Sequence, residues 1–186
     1  MDKPRNFYKN TFHHLYNRGA FKQKIFLEKS DYDYFLRKLI QYKNKHAIKI
    51  LSYCLMPNHF HLFVNQTTEE QTISKFISGL TNSFTKGINT KYNRSGILFD
   101  GKTKSKLIED DSYFKWVIKY ILENPVKAKI VKRFDEYPFS SAKEIVGNIN
   151  KGITDVNDLL GYFDSIQSFN EFMQDEKQIS DCEVLL

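Results

Sequence analysis

Cysteine is almost absent from this chain of 186 residues. Cys54 and Cys182 are the only two, they lie far apart, and neither belongs to a Cys-x-x-Cys pair. Such usage offers no disulfide framework and is typical of a reducing compartment. We therefore expect an intracellular protein whose stability comes from an ordinary hydrophobic core.

Long apolar runs are also missing. No stretch approaches the roughly 20 residues that a transmembrane helix needs, and the polar start at residues 1–5 lacks the hydrophobic segment of a secretory signal. There is no internal repeat and no glycine-rich phosphate loop. These absences predict a cytoplasmic protein that does not associate with a membrane.

What the chain has in quantity is aromatic side chains and positive charge. Sixteen Phe and 11 Tyr indicate a folded protein with one well-buried core. Twenty-eight Lys and Arg stand against 22 Asp and Glu, a net charge of +6. A positive balance suits a polyanionic partner such as nucleic acid, although many basic proteins bind none.

Two histidines lie two residues apart in a strand-like apolar run that follows Pro57. Side chains alternate along a strand, so His59 and His61 point to one face while Phe60 and Leu62 point to the other. A pair of imidazoles on one face can hold a divalent metal. By itself such a pair more often belongs to a half-buried strand that carries two surface histidines.

A candidate nucleophile lies near residue 120. Residues 111–124 are predicted to form a helix that Asp110, Asp111 or Ser112 caps and that stops about Asn124, because Pro125 disfavours helix at the preceding residue. Tyr120 and Asn124 are one turn apart on one face and reach the same point. A tyrosine hydroxyl and an amide oxygen beside two imidazoles are suited to attack on a phosphodiester.

These segments resemble the REP-associated tyrosine transposases, within the HUH (His, hydrophobic, His) single-strand, insertion-sequence-200-like transposases. The resemblance covers roughly residues 8–142, in the family's order. Its matching segments are residues 14–19, Met56-Pro57-Asn58-His59-Phe60-His61-Leu62, residues 96–102, Tyr120-Ile121-Leu122-Glu123-Asn124-Pro125-Val126-Lys127-Ala128 and residues 137–141.

The resemblance implies metal-dependent cleavage and strand transfer of single-stranded or hairpin DNA. Tyr120 is then the catalytic residue, which forms a covalent 5′-phosphotyrosine, and His59, His61 and Asn124 are the metal ligands. Imidazole with oxygen ligands is consistent with Mg²⁺ or Mn²⁺. Glu123 is an alternative third ligand, although it points about 100° around the helix. Members act as monomers or as homodimers, and the sequence does not decide between the two.

The expected fold is α+β, a ferredoxin-like β-α-β-β-α-β core with an antiparallel sheet. Strands are predicted over residues 7–17, 47–55, from His59 onward and 102–108, and helices over residues 30–45 and 69–92. Gly79 and Gly87 in the second helix suggest close packing. The tyrosine-bearing helix and short C-terminal helices at 155–163 and 166–174 complete the chain.

Basic residues interleaved with aromatic ones predict the DNA-binding surface, since cations neutralise phosphates and rings stack on unpaired bases. The alternative is a solvated charged loop beside core aromatics. The predicted contacts are Arg18, Lys86, Lys91, Arg94, Lys102, Lys104 and Lys106. His13 and His14 are adjacent, so they point to opposite faces of their strand; either can line the site or fill a surface or core position.

We divide the chain into a catalytic domain over residues 1–142 and an acidic helical extension over residues 143–186 that packs on the core. Two further functions stay open. One is a module that binds a DNA hairpin or repeat without cutting it. The other is a bis-histidine metal protein unrelated to DNA, in which the basic loop and the Tyr-Asn turn are coincidences.

Overall fold

The computed structural model describes residues 7–70, 72–147, 149 and 151–175. Its strands are β1 (Phe12–Arg18), β2 (Ile48–Met56), β3 (His59–Gln66) and β4 (Lys104–Ile108). Its helices are α1 (Lys29–Lys45), α2 (Thr72–Lys91), α3 (Asp111–Lys127), α4 (Ala142–Ile145), α5 (Val156–Leu160) and α6 (Ile166–Gln174), with 3₁₀ turns at Ala20–Lys22 and Phe134–Glu136.

The four strands form one antiparallel sheet in the order β2-β3-β1-β4. Together with α1 and α2 this is the predicted ferredoxin-like β-α-β-β-α-β arrangement, with the hairpin at Pro57–Asn58 joining β2 to β3. Among the described residues, no helix is both long and apolar enough to span a membrane.

The sheet separates two hydrophobic clusters. On one face, α1 and α2 bury residues such as Phe35 and Phe84 against Phe60 and Leu62 of β3. On the other face, α3 packs Val117 and its neighbours against the sheet, together with the C-terminal helices. His59 and His61 alternate with Phe60 and Leu62, so both histidines lie on the α3 face.

Close helix packing explains the two glycines of α2. A Cβ added at Gly79 would lie 2.4 Å from the ring of Tyr42, and one added at Gly87 would lie 2.5 Å from the ring of Tyr34. Neither distance is possible for real atoms, so α1 approaches α2 closely because those two positions lack side chains.

The bounds of α2, β4 and α5 are a few residues shorter than predicted, and three other elements differ from the structure in ways that affect packing. β1 begins at Phe12 rather than residue 7, because Asn10 takes a positive φ of 59° that ends any extended run before it. In β2 a bulge between Ile50 and Ser52 interrupts the regular alternation of side chains between the two faces of the sheet. Tyr53 consequently belongs to the α1–α2 cluster with Ile50, and Cys54 belongs to the α3 cluster.

The third difference concerns the end of α3, which continues through Pro125 to Lys127. A proline inside a helix removes one backbone donor and costs about 3 kcal/mol. Ile121 and Leu122 of this helix are fully buried, and we attribute the continuation to that packing. The predicted cap is confirmed, since Asp110 accepts from the backbone N–H of Tyr113 at 2.9 Å.

The C-terminal segment packs on α3. Tyr162 stacks on Phe114 with ring centres 3.9 Å apart, and the buried ammonium group of Lys119 donates to the backbone carbonyls of Phe172 and Asp175 at the end of α6. The division of the chain at residue 142 stays a prediction, and residues 176–186 of the predicted extension lie outside the described residues.

Candidate functional site

The two histidines of β3 face the helix that carries the tyrosine. His61 lies opposite Tyr16 of β1, and His59 lies opposite Arg18. The two imidazole rings are nearly perpendicular, with centres 5.1 Å apart. His61 is buried and His59 is half-buried, so the pair lies at the border between the core and solvent.

Helix α3 places Tyr120 and Asn124 against this pair. The Tyr120 ring stands edge-on to the His61 ring at a centre-to-centre distance of 5.4 Å. Asn124 Oδ1 lies 3.5 Å from His59 Nε2. Asn124 Nδ2 donates to the backbone carbonyl of Tyr120 at 2.7 Å, and this bond turns the amide oxygen toward the histidines. The structure thus brings together all four residues predicted for the catalytic and metal sites.

The contact between His59 and Asn124 joins an imidazole nitrogen and an amide oxygen. His59 Nδ1 lies 2.7 Å from Asn58 Oδ1, and the Asn58 amide is oriented by its own Nδ2, which donates to the carbonyl of Lys22 at 3.4 Å. In the tautomer that donates from Nδ1 to Asn58 Oδ1, the neutral ring presents a lone pair at Nε2, toward Asn124 Oδ1. Two lone pairs that face each other repel unless a cation or a proton lies between them.

Two further polar atoms at this point have no partner among the described residues. His61 Nε2 and the Tyr120 hydroxyl are both buried without a hydrogen bond. Buried polar atoms are normally paired, and an unpaired one marks a functional position or a ligand that binds there. The two imidazole nitrogens and the Asn124 oxygen form a donor set that fits Mg²⁺ or Mn²⁺.

A metal site with three protein ligands here would need the Asn124 amide oxygen as its third member. Among the residues that the structure describes, no group of three His, Cys, Asp or Glu side chains is placed to hold a metal ion. Glu123, the alternative third ligand, lies 3.8 Å from both Lys119 and Lys127, its neighbours on α3. Burial raises the pKa of Glu123, against the opposing effect of those two lysines.

Burial sets the protonation states of the site. It lowers the pKa of His59, although Asn124 acts in the opposite direction, and it lowers the pKa of His61 well below its usual range, with further contributions from His14 and His59. Both rings are therefore neutral at pH 7 and able to donate lone pairs. Burial also raises the pKa of Tyr120 to about 12, so the hydroxyl is protonated at rest.

His14 belongs to the site as well, which sequence reasoning did not establish. Its Nε2 atom lies 2.8 Å from His61 Nδ1, and both side chains are buried. Burial, with a smaller effect of Lys106, lowers the His14 pKa to about 3. His13 points to the other face and contacts Ser105. Only the pairing of β1 with β3 reveals which of these two adjacent histidines reaches His61.

A cavity of about 220 Å³ opens beside the histidines, and three basic residues line it. These are Arg18, Lys22 and Lys104. Arg18 also forms an ion pair with Asp100 at 2.9 Å, and Lys104 Nζ lies 5.8 Å above the ring of Tyr16. Two of the predicted DNA contacts, Arg18 and Lys104, thus reach the site itself.

The other predicted DNA contacts lie in different surroundings. Lys106 donates to the Tyr113 hydroxyl at 2.7 Å, beside the tyrosine helix. Lys102 lines a groove along α2, Lys86 and Lys91 line a groove between α1 and α2, and Arg94 reaches Gln23. Lys91 forms ion pairs with Glu28 and Asp31, so two carboxylates already balance its charge.

The chain is similar to known transposases. The sequence model of the family described as "Transposase IS200 like" matches residues 8–124. A solved structure of a REP-associated tyrosine transposase bound to a REP hairpin is 19% identical, with a TM-score of 0.66 over 84% of this chain and 90% of that one. A putative transposase from Deinococcus radiodurans is 14% identical, with a TM-score of 0.45 over 62% of this chain and 92% of that one. No curated protein matches the sequence.

Proposed function

This chain belongs to the IS200-like transposase family, and from that premise we propose that it cleaves single-stranded DNA and transfers the strand through a covalent bond to Tyr120. Membership of the family makes DNA transposition its activity in general terms. The proposal adds the chemistry: a divalent metal, Mg²⁺ or Mn²⁺, held by His59, His61 and Asn124, and a tyrosine nucleophile beside it.

The observation that carries the proposal is the convergence of two imidazole nitrogens and an amide oxygen next to an unpaired tyrosine hydroxyl. His59 Nε2 lies 3.5 Å from Asn124 Oδ1, and His61 Nε2 and Tyr120 Oη are buried without partners. When bound there, a divalent ion polarises the scissile phosphate and offsets the charge that builds on its oxygens. A bis-histidine protein unrelated to DNA does not account for the tyrosine.

The reaction we propose exchanges one phosphoester bond for another. Tyr120 Oη attacks the phosphorus, the bond from phosphorus to the 3′ oxygen breaks, and the departing oxygen takes up a proton to become a 3′-hydroxyl. The product is a 5′-phosphotyrosine. Because the new ester retains the bond energy, the strand can be rejoined to another 3′ end without ATP.

Tyr120 must lose its proton for this attack, and its raised pKa makes that loss unfavourable in the resting site. Lys127 Nζ lies 5.3 Å from the centre of the Tyr120 ring, although Glu123, 3.8 Å from that ammonium group, already balances part of its charge. The Asn124 side chain lowers the Tyr120 pKa, against the larger effect of burial. In the resting site the nucleophile is therefore held in its neutral form.

We further propose single-stranded or hairpin DNA as the partner. Arg18 and Lys104 line the cavity beside the histidines, and Lys106 lies next to the tyrosine helix through its bond to Tyr113. The solved transposase of the same fold carries a REP hairpin. Lys86, Arg94 and Lys102 are outer contacts in this proposal, and Lys91 contributes less because its charge is already balanced.

A covalent-capture assay tests the proposal. Labelled single-stranded hairpin oligonucleotides are incubated with the protein and Mg²⁺ or Mn²⁺, and denaturing gels are examined for a protease-sensitive adduct. We expect an adduct that depends on the metal and is lost in Tyr120→Phe but kept in Tyr113→Phe, a matched change on the same helix. An undiminished adduct in Tyr120→Phe would remove this residue from the mechanism. Tight binding without any adduct would favour the non-cleaving hairpin-binding module.

A further inference from the structure

Phe21 is the most exposed of the large apolar side chains that the structure describes, with 94% of its surface open to solvent. It lies in the short turn after β1, between two residues that line the cavity of the site, Arg18 and Lys22. Single exposed apolar residues are common on protein surfaces. What distinguishes this one is the backbone that presents it.

The backbone at Phe21 is in the left-handed region, with φ 56° and ψ 27°, and Lys22 follows with φ 60°. Each non-glycine residue in that region costs on the order of 1 kcal/mol, and bulky residues rarely adopt it. Such strain persists only where the surroundings impose it and is concentrated at functional sites. Here two consecutive strained residues turn an aromatic ring away from the protein.

Contacts on both sides hold this turn in place. Gly19 N–H donates to the Asn58 carbonyl at 2.7 Å, and Gln23 N–H donates back to the carbonyl of Ala20 at 3.1 Å. A Cβ at Gly19 would lie 2.1 Å from the Gln23 carbonyl oxygen, so only glycine allows the turn to close. The ring of Phe21 therefore projects from a rigid base.

The same turn is connected to the metal-site histidine. Asn58 Nδ2 donates to the carbonyl of Lys22, and Asn58 Oδ1 is the partner of His59 Nδ1 at 2.7 Å. One asparagine thus links the strained turn to His59. A ligand group that contacts the Phe21 ring is therefore held at a fixed position relative to His59.

We propose that Phe21 stacks on an unpaired base of the DNA strand whose backbone the adjacent cavity receives. This inference rests on the proposed function, and it adds a base contact that the basic residues alone do not supply. Arg18, Lys22 and Lys104 provide positive charge for the phosphate, and an exposed aromatic face beside them provides the surface for a base. A base within a duplex is already stacked on its neighbours, so the occupant is unpaired.

Fluorescence of 2-aminopurine tests this contact without cleavage. Tyr120→Phe protein is titrated with single-stranded hairpin oligonucleotides that carry 2-aminopurine at successive unpaired positions, since stacking on a ring quenches its emission. We expect quenching at one or two positions. Replacement of Phe21 by Asn removes the ring but keeps a residue that tolerates the left-handed backbone, and we expect it to abolish this quenching and weaken binding about 5- to 150-fold.

Two further variants separate the ring from other effects. Phe21→Tyr keeps an aromatic face and is expected to restore both quenching and affinity. Tyr8→Ala removes another exposed aromatic residue, 58% open to solvent, that lies before β1 and not in the turn between Arg18 and Lys22, and is expected to change neither. Quenching and affinity that persist in Phe21→Asn would overturn the inference.

The outcomes also separate this inference from the proposed function. If the native protein forms the covalent adduct while Phe21→Asn binds as tightly as its parent, the base contact is wrong and the strand transferase stands. If quenching depends on Phe21 but no adduct forms with either metal, the base contact stands and the cleavage mechanism is wrong. If no oligonucleotide binds, both are refuted.

Discussion

Removing the hydroxyl of Tyr120 should abolish the proposed chemistry and at the same time stabilise the protein. The oxygen is buried and has no partner at hydrogen-bonding distance and angle among the described residues, although the Asn124 side chain is near enough to lower the Tyr120 pKa. A buried hydroxyl left unpaired costs roughly 1–3 kcal/mol relative to water. Tyr120→Phe removes that group without leaving a cavity around the ring, so we expect the free energy of unfolding to rise by about 1 kcal/mol.

Tyr113 provides the matched comparison on the same helix. Its hydroxyl accepts from Lys106 Nζ at 2.7 Å, and hydrogen bonds to charged groups contribute about 1.5–3 kcal/mol, less where solvent has access. Tyr113→Phe loses this bond and should lower the free energy of unfolding by about 1 kcal/mol. The same substitution, Tyr to Phe, is thus expected to change the free energy of unfolding in opposite directions at two positions seven residues apart.

Thermal unfolding followed by circular dichroism, in metal-free buffer at pH 7, measures both changes. For a chain of this size 1 kcal/mol corresponds to a shift in Tm of about 2–4 °C, upward for Tyr120→Phe and downward for Tyr113→Phe. In the adduct assay the order is reversed: the less stable Tyr113→Phe should form the adduct, and the more stable Tyr120→Phe should not. A fall in Tm for Tyr120→Phe as large as that for Tyr113→Phe would mean that the Tyr120 hydroxyl is paired in the folded protein, and the reasoning from its unpaired state would fail.

Three further predictions follow from the same structure. His14→Leu leaves His61 Nδ1 without a partner, and we expect it to weaken Mn²⁺ binding about 10- to 100-fold in isothermal titration. His13→Leu changes the opposite face of the strand and should leave the affinity for Mn²⁺ unchanged. Equal affinities of the two variants would refute a supporting role for His14. Burial alone would raise the Asp31 pKa, but hydrogen bonds from Lys91 and other donors hold it below its usual value. Asp31 should therefore stabilise the fold above about pH 4, and this stabilisation is lost as pH falls through the lowered pKa. In melting curves from pH 2 to 7, the Tm of Asp31→Asn should lack this part of the pH dependence. A pH profile of Tm identical to that of the native protein would contradict the prediction. Lys104→Gln should reduce the slope of log binding constant against log salt concentration, for single-stranded DNA, by about 0.7. Lys91→Gln should change this slope little. A larger change in Lys91→Gln than in Lys104→Gln would place the DNA on the α1–α2 face.

Local chemistry in the sequence was sufficient for the parts of the site that lie within one element. Alternation along a strand placed His59 and His61 on one face, and the helical repeat placed Tyr120 and Asn124 one turn apart. The order of these segments supported the family, which the match over residues 8–124 confirms. Each of these predictions needed only the geometry of a single strand or helix, or the order of motifs along the chain.

The remaining features depend on how distant segments pack. Whether His13 or His14 reaches His61 follows from the pairing of β1 with β3. The contact of Asn124 with His59 follows from α3 crossing the sheet, and α3 passes Pro125 where tertiary burial outweighs local preference. The ion pairs of Lys91, predicted as a DNA contact, form because α1 brings its own carboxylates to the end of α2. The amino-acid sequence alone therefore determined which chemical groups this protein has and which face of its strand or helix each one occupies. Tertiary packing decided the partners of these groups, because the energies of burial and pairing are shared between segments far apart in the chain.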